Sequence, residues 1–261
     1  MKGLKSVKYL AMLFCLVEMS VAVADEKGQE IARQADQHNI GWKDMSADLQ
    51  MELRNAYGAV STRELAVQFF EVHADGDKSL VRFLSPADVR GTTLLTHAHS
   101  LTSDDQWQFF PSLRRVKRIA SENKSGPFMG SEFAYEDMAS WELDKYQYQY
   151  LGDEVVDGLD AYKLEMTPAY PRSGYTRQVT WLDKQYYRPL KVEYYDRKNA
   201  LLKTQTYSGY GVYLDRYWRA SEMRMVNHQT GKQTWMRWSN YRFGNGYNEL
   251  TFDKSSLDAQ R

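Results

Sequence analysis

The sequence predicts a mainly β protein, an antiparallel meander of close to twelve strands that has too many members to lie flat. Three observations carry this. Aromatic residues make up 14% of the 261 positions, with 19 tyrosines and 7 tryptophans against 6 prolines, a mixture suited to pleated, half-buried surfaces. From Met45 to Leu53 apolar and polar residues alternate without a break, the period-two signature of a strand with one buried face. In the second half, turn-forming residues recur between strand-like runs (Asp157 with Gly158, Arg197 to Asn199, Thr230 with Gly231) and join neighbours as hairpins. A twisted meander of that size has to curl into a barrel or a deep open trough.

In chain order, Lys2, Lys5 and Lys8 precede an apolar run from Tyr9 to Val17, and Ala22, Val23 and Ala24 precede Asp25. This reads as a cleaved secretory signal over residues 1–24, with residues 25–261 as the exported chain in the periplasm. Phe14 stands where a lipidated Cys15 would need a small neighbour. Cleavage removes the one cysteine, so stability has to come from burial without a disulfide. Lys27 to His38 carries Ile31, Ala32 and Ala35 at helical spacing. The alternating strand around Met45 follows, then strands over 62–74, 79–85, 92–98 and 106–110, with one helical turn expected over Pro86 to Gly91. Pro111 cannot donate to a ladder and ends its strand or marks an edge. A short helix capped by Ser131 is expected over 131–138. Seven strands complete the chain, over 146–151, 161–166, 176–183, 190–196, 201–214, 217–228 and 232–243.

The formal charge is +0, and loss of the leader makes it slightly acidic, which argues against nucleic-acid binding because phosphates demand a basic surplus. Motifs for catalysis are missing: there is no G-x-S-x-G elbow, H-E-x-x-H helix or phosphate loop. His97 and His99 lie two apart on a strand beside Asp104 and Asp105; a metal-dependent hydrolase would use such a pair, but two strand histidines are the simpler account. The chain is therefore read as a non-enzyme with no metal and no cofactor.

What remains is binding. Charged residues, namely Lys191, Glu193, Lys203, Arg219, Arg224, Arg237 and Arg242, occupy one face of several strands while the other is apolar. The concave apolar face then needs helices or a ligand to cover it, an ordinary packed core being the competing account. The candidate lining is Met45, Leu49, Met51, Phe69, Phe109, Phe110, Phe128, Met129, Phe133, Trp181, Met223 and Met225, the methionines being adaptable to flexible chains. Burying an acyl chain stabilises it by about 0.8 kcal/mol per CH₂, enough for carriage without covalent chemistry. Arg114, Arg115 and Arg118 stand beside the Phe109–Phe110 pair as a rim for lipid head groups or an acidic partner, and the Phe128–Met129 turn between Gly126 and Gly130 reads as a gate.

The segments DDQWQFFPSLRRVKRIASENKSGPFMGSEFAYEDM (104–138), YLGDEVVDGLDAYKLEMTP (150–168) and WLDKQYYRPLKVEYYD (181–196) resemble the periplasmic outer-membrane lipoprotein-sorting-protein-like family, distant relatives of the LolA and LolB carriers. The resemblance implies a strongly curved, open antiparallel half-barrel of about 11 strands with short helices over its apolar concave face. It also implies a carrier of lipid or lipoprotein acyl chains, monomeric and in transient membrane contact, with an inner-membrane exporter of the resistance-nodulation-division (RND) type as partner. A cargo-free envelope sensor or adaptor that binds a protein partner is the alternative.

Overall fold

The computed structural model describes residues 25–73 and 75–258; the expected leader lies outside the described residues. Helix α1 (Glu26–Asn39) precedes β1 (Asp44–Arg54), β2 (Val60–Phe70), β3 (Lys78–Ser85), β4 (Thr93–His97), β5 (Asp105–Phe110) and β6 (Arg115–Arg118). After a long connection come β7 (Tyr146–Val156), β8 (Leu159–Pro168), β9 (Tyr175–Asp183), β10 (Pro189–Asp196), β11 (Leu201–Tyr213), β12 (Tyr217–Asn227), β13 (Gln233–Phe243) and helix α2 (Lys254–Asp258). The strands form one antiparallel sheet of 13 in the order β6-β5-β4-β3-β2-β1-β13-β12-β11-β10-β9-β8-β7, open at both edges and consistent with the curved half-barrel.

Strand β1 sits at the centre because β13 returns to pair with it, Leu49 opposite Trp238 and Met51 opposite Met236. Its alternation is as expected: Met45, Ala47, Leu49 and Met51 are all buried. This topology dictates a cover. Consecutive strands β6 and β7 lie at opposite edges, so residues 119–145 have to cross the whole sheet, and they do so over its concave face. In this connection the expected Ser131-capped helix is a 3-10 turn over Tyr135–Met138, with Asp137 accepting from the Ala134 N–H at 2.7 Å; Ser131 instead accepts from Phe133 N–H. Pro86 to Gly91 is a pair of hydrogen-bonded turns rather than a helix.

Two further elements cover the sheet. Helix α1 lies on the concave face at the β7–β9 end, where Ile31 meets Leu164 and Leu182, and Ala32 meets Tyr148 and Met166. Its N-cap Asp25 accepts from Lys27 N–H at 3.1 Å and from Tyr150 N–H of β7 at 2.6 Å. A Cβ at Gly28 would stand 2.9 Å from Tyr150 N, so only glycine allows this approach. The C-terminal segment packs on the outer face, where Phe252 and Leu257 join Leu80, Leu95 and Phe109. Strand β4 is consequently buried on both sides. Elsewhere the outer face is open, and cations stand over its indoles. Lys191 and Lys163 lie 3.7 and 4.8 Å from the Trp181 ring, and Arg224 and Arg237 lie 4.8 and 5.2 Å from Trp235.

Candidate functional site

A cavity of ≈ 500 Å³ opens on the concave face between α1, the crossing segment and strands β7 to β13. It exists because of what α1 presents inward. Apart from Ile31 these residues are small: Gly28 lies directly against the β7 backbone, and Ala32 and Ala35 line the cavity without filling it. The walls are rings: Tyr146, Tyr170, Tyr175, Tyr194, Tyr207 and Tyr210 line one side, and Phe69, Trp238 and Tyr241 with Met45 and Met223 line the other.

Several of these tyrosines present an apolar surface because their hydroxyls are spent on the protein. Tyr194 donates to Gln205 Oε1 at 2.7 Å, Tyr175 to Asp137 Oδ1 at 2.7 Å, Tyr241 to the Ala220 carbonyl at 2.9 Å, and Tyr210 to the Pro189 carbonyl. Burial holds the phenols of Tyr146, Tyr175 and Tyr194 above their ordinary range, so they stay neutral. A satisfied hydroxyl leaves the ring face as the contact surface.

The crossing segment closes the other side and is bolted down. Lys203 Nζ donates to Asp137 Oδ2 at 2.6 Å and to the Glu132 carbonyl at 2.9 Å, both ion-pair partners being almost fully buried. Glu132 also takes the Asn227 amide at 2.7 Å, and its N–H meets Thr234 Oγ1 at 2.9 Å. Glu136 accepts from Gly174 N–H at 2.8 Å and Ser173 Oγ at 3.0 Å. Any side chain at residue 174 would collide, since a Cβ there falls 2.6 Å from Glu136 Oε1. Burial, followed by the neighbouring Asp137 charge, pushes the Glu136 carboxyl up to about 7.

Three of the four cations deepest around the cavity have a carboxylate: Lys203 has Asp137, Lys145 has Asp104, and Arg188 has Asp183 at 2.7 Å. The fourth, Arg219, expected with Lys203 on the charged outer face, instead lines the cavity, just as Lys203 is instead buried on Asp137. Arg219 has no ion pair among the described residues. It donates to Asn39 Oδ1 and the Trp218 carbonyl, both at 2.9 Å, and burial lowers its pKa.

A family model described as "Uncharacterized protein" matches residues 75–259. The chain is 53% identical to an outer membrane lipoprotein-sorting protein domain from Vibrio parahaemolyticus, over 89% of this chain and 99% of that one, with a TM-score of 0.88. A DUF1329 family protein from Desulfovibrio piger is 31% identical over 90% and 99% of the two chains, with a TM-score of 0.84. The chain belongs to the DUF1329 family. A LolA superfamily protein from Nitrosomonas europaea, 22% identical over 88% and 98% of the chains, shares the fold with a TM-score of 0.71. No curated protein matches the sequence.

The expected lining residues separate into groups. Met45, Phe69, Phe133 and Met223 line the cavity. Leu49, Met51, Phe128 and Met225 do not; they are fully buried in a solid core with Phe83, Leu65 and Met236. The Phe128–Met129 turn is therefore no exposed gate. Phe128 packs 5.7 Å from Phe83 and 5.5 Å from Tyr135, and Arg63 holds the Met129 carbonyl. Trp181 and Phe109 face the outer side of the sheet, because their strand neighbours Thr180, Leu182 and Gln108 take the inner one. Phe110 lies at the β6 edge under Lys117, 5.6 Å away. Arg114, Arg115 and Arg118 are exposed at that edge, Arg118 paired with Asp105, and none lines the cavity. His97 donates to the Phe252 carbonyl at 2.7 Å and His99 contacts Asp75 at 2.6 Å; among the described residues no cluster of three metal-ligating side chains forms.

Proposed function

We propose that the protein is a periplasmic, non-enzymatic carrier that takes one acyl chain of a lipid or lipoprotein into the hollow between α1 and the sheet and moves it between envelope membranes. The observation that carries this reading is the cavity: ≈ 500 Å³, within the roughly 300–1,000 Å³ typical of ligand pockets, walled by aromatic and methionine side chains. At about 30 Å³ per water-sized group, it holds on the order of 17 methylene-sized groups, one long chain rather than three. The relatives named for lipoprotein sorting support the same reading. The carrier acts as a monomer in transient contact with membranes and hands its cargo on in concert with an inner-membrane RND-type exporter.

Native mass spectrometry of protein purified from cell envelopes tests this. The expected result is a bound species with the mass of one acyl-bearing lipid, lost when α1 is displaced. Protein that is always empty and takes up no acyl probe overturns the carrier and leaves the protein-binding adaptor standing.

A further inference from the structure

One end of the cavity is lined by the C-terminal end of α1, the β9–β10 turn and the start of β12 with the turn before it, and three arginines stand there. Arg188, Arg216 and Arg219 all border the cavity. Aromatic rings stand beside them: Arg188 lies 4.4 Å from the Trp218 ring, while Arg216 and Arg219 lie 5.3 and 5.9 Å from the Tyr217 ring. Arg188 is neutralised by Asp183, and Arg216 gives Nη2 to the Gln37 carbonyl at 2.8 Å.

Arg219 is different. Its guanidinium is set among Trp42, Tyr217 and Phe243, each ring 5.7 to 5.9 Å away. Nη1 is used on Asn39 and Trp218 and Nε reaches Met45 Sδ at 3.5 Å, while Nη2 donates to no group among the described residues. The acids whose field it feels, Asp77 and Glu71, stand beyond ion-pair distance, and burial with the neighbouring Glu142 pushes Asp77 up to about 7. Arg219 is half-buried, and partly withdrawing a charge from water without a counter-charge is costly. A guanidinium held in that state by packing is preorganised for an oxyanion. Met45, its neighbour, begins the apolar wall that continues through Phe69 and Met223.

We propose that Arg219 is the head-group site of the carrier: the cargo is a single-chain amphiphile with an anionic oxyacid head, carboxylate or phosphate, held at Arg219 while its tail lies under α1. This rests on the carrier reading above. The charge of the head group sets binding strength, and the tail supplies the rest without distinguishing one lipid from another.

The test compares four probes with the same 18-carbon chain on purified protein stripped of lipid: oleate, oleoyl lysophosphatidic acid, oleoyl lysophosphatidylcholine and oleyl alcohol. At least one of the two anionic probes should bind tenfold or more tighter than the alcohol, and the choice between oleate and lysophosphatidic acid identifies carboxylate or phosphate as the natural head. Arg219→Gln should remove that advantage while leaving the alcohol unchanged, and Arg219→Lys should restore part of it. Asn39→Ala, which breaks only the bond from Arg219 to α1, should keep it. Equal binding of all four probes to the unmodified protein overturns the head-group site and spares the acyl carrier; this comparison needs no variant to fold. A uniform loss of every probe in Arg219→Gln reduces Arg219 to a support for α1 and also overturns it. Binding of none overturns both readings.

Discussion

The concave face is solid under the early part of the crossing segment, around Phe128, and hollow between its later residues, from Glu136 to Trp141, and α1, although one sheet supplies both floors. The crossing segment sends down Phe128 and Phe133, which fill the space against Phe83, Leu49 and Met51, and its polar groups end on Lys203, Asn227 and Thr234. Helix α1 sends down Gly28, Ala32 and Ala35 and is tied chiefly at its ends, by Asp25 to Tyr150 and by Arg216 and Arg219 to Gln37 and Asn39. A cover rich in large side chains becomes core. One rich in small side chains leaves room and, being held at two ends, is the cover that can lift. On the proposed carrier reading, cargo enters beside α1, not at the Phe128–Met129 turn.

Four substitutions break or sharpen this contrast. Phe128→Ala should cost about 3–5 kcal/mol in denaturant unfolding, yet the folded fraction should bind an acyl probe with unchanged affinity because Phe128 does not line the hollow; lost affinity would mean the two halves are coupled. Gly28→Ala forces a Cβ onto the β7 backbone and should cost about 1–3 kcal/mol, with faster probe release in stopped-flow displacement as α1 loosens.

Glu136→Gln acts through pH. The carboxyl titrates near 7 in the fold, against an ordinary 4.5, so the folded state holds an extra proton between those values and stability falls as pH rises from about 4.5 to 7. The variant should flatten that decline and raise the melting temperature at pH 8 by about 2–4 °C, the shift expected for ~1 kcal/mol; a profile as steep as that of the unmodified protein would assign the decline to other groups. Ala35→Phe should change stability by less than about 1 kcal/mol, since it fills open space, while weakening acyl probes tenfold or more in equilibrium titration.

Much of the fold was legible because hairpins write themselves locally: the strands from β7 to β13 and the alternating β1 follow their turn residues and period. Strand β6 was not. Arg115, Lys117 and Arg118 leave Val116 as its sole apolar residue, and an edge strand that pairs through backbone alone needs no hydrophobic pattern. The outer cover was missed because Phe252 and Leu257 stand in a polar stretch with no period to reveal them. That cover also explains the misplaced Phe109: where both sides of a strand are buried, alternation no longer says which side faces the cavity, and Trp181 in β9 failed for the same reason. Tyrosines were overlooked as lining because the sequence does not disclose where a hydroxyl ends, and here internal acceptors turn polar residues into an apolar wall.

The indoles under lysine and arginine on the outer face bear on how the protein behaves in solution. Each cation stays hydrated while its alkyl stem shields a tryptophan, so a wall built on Trp181 and Trp235 meets water as charge. Glutamates pair with these cations, Glu154 with Lys163 at 3.0 Å, Glu193 with Lys191 at 3.2 Å and Glu52 with Arg237 at 3.1 Å, so a neighbouring copy meets a hydrated surface of mixed charge. Exchanging Lys163 and Lys191 for leucine would leave the fold in place while converting the wall into an apolar surface that drives clustering.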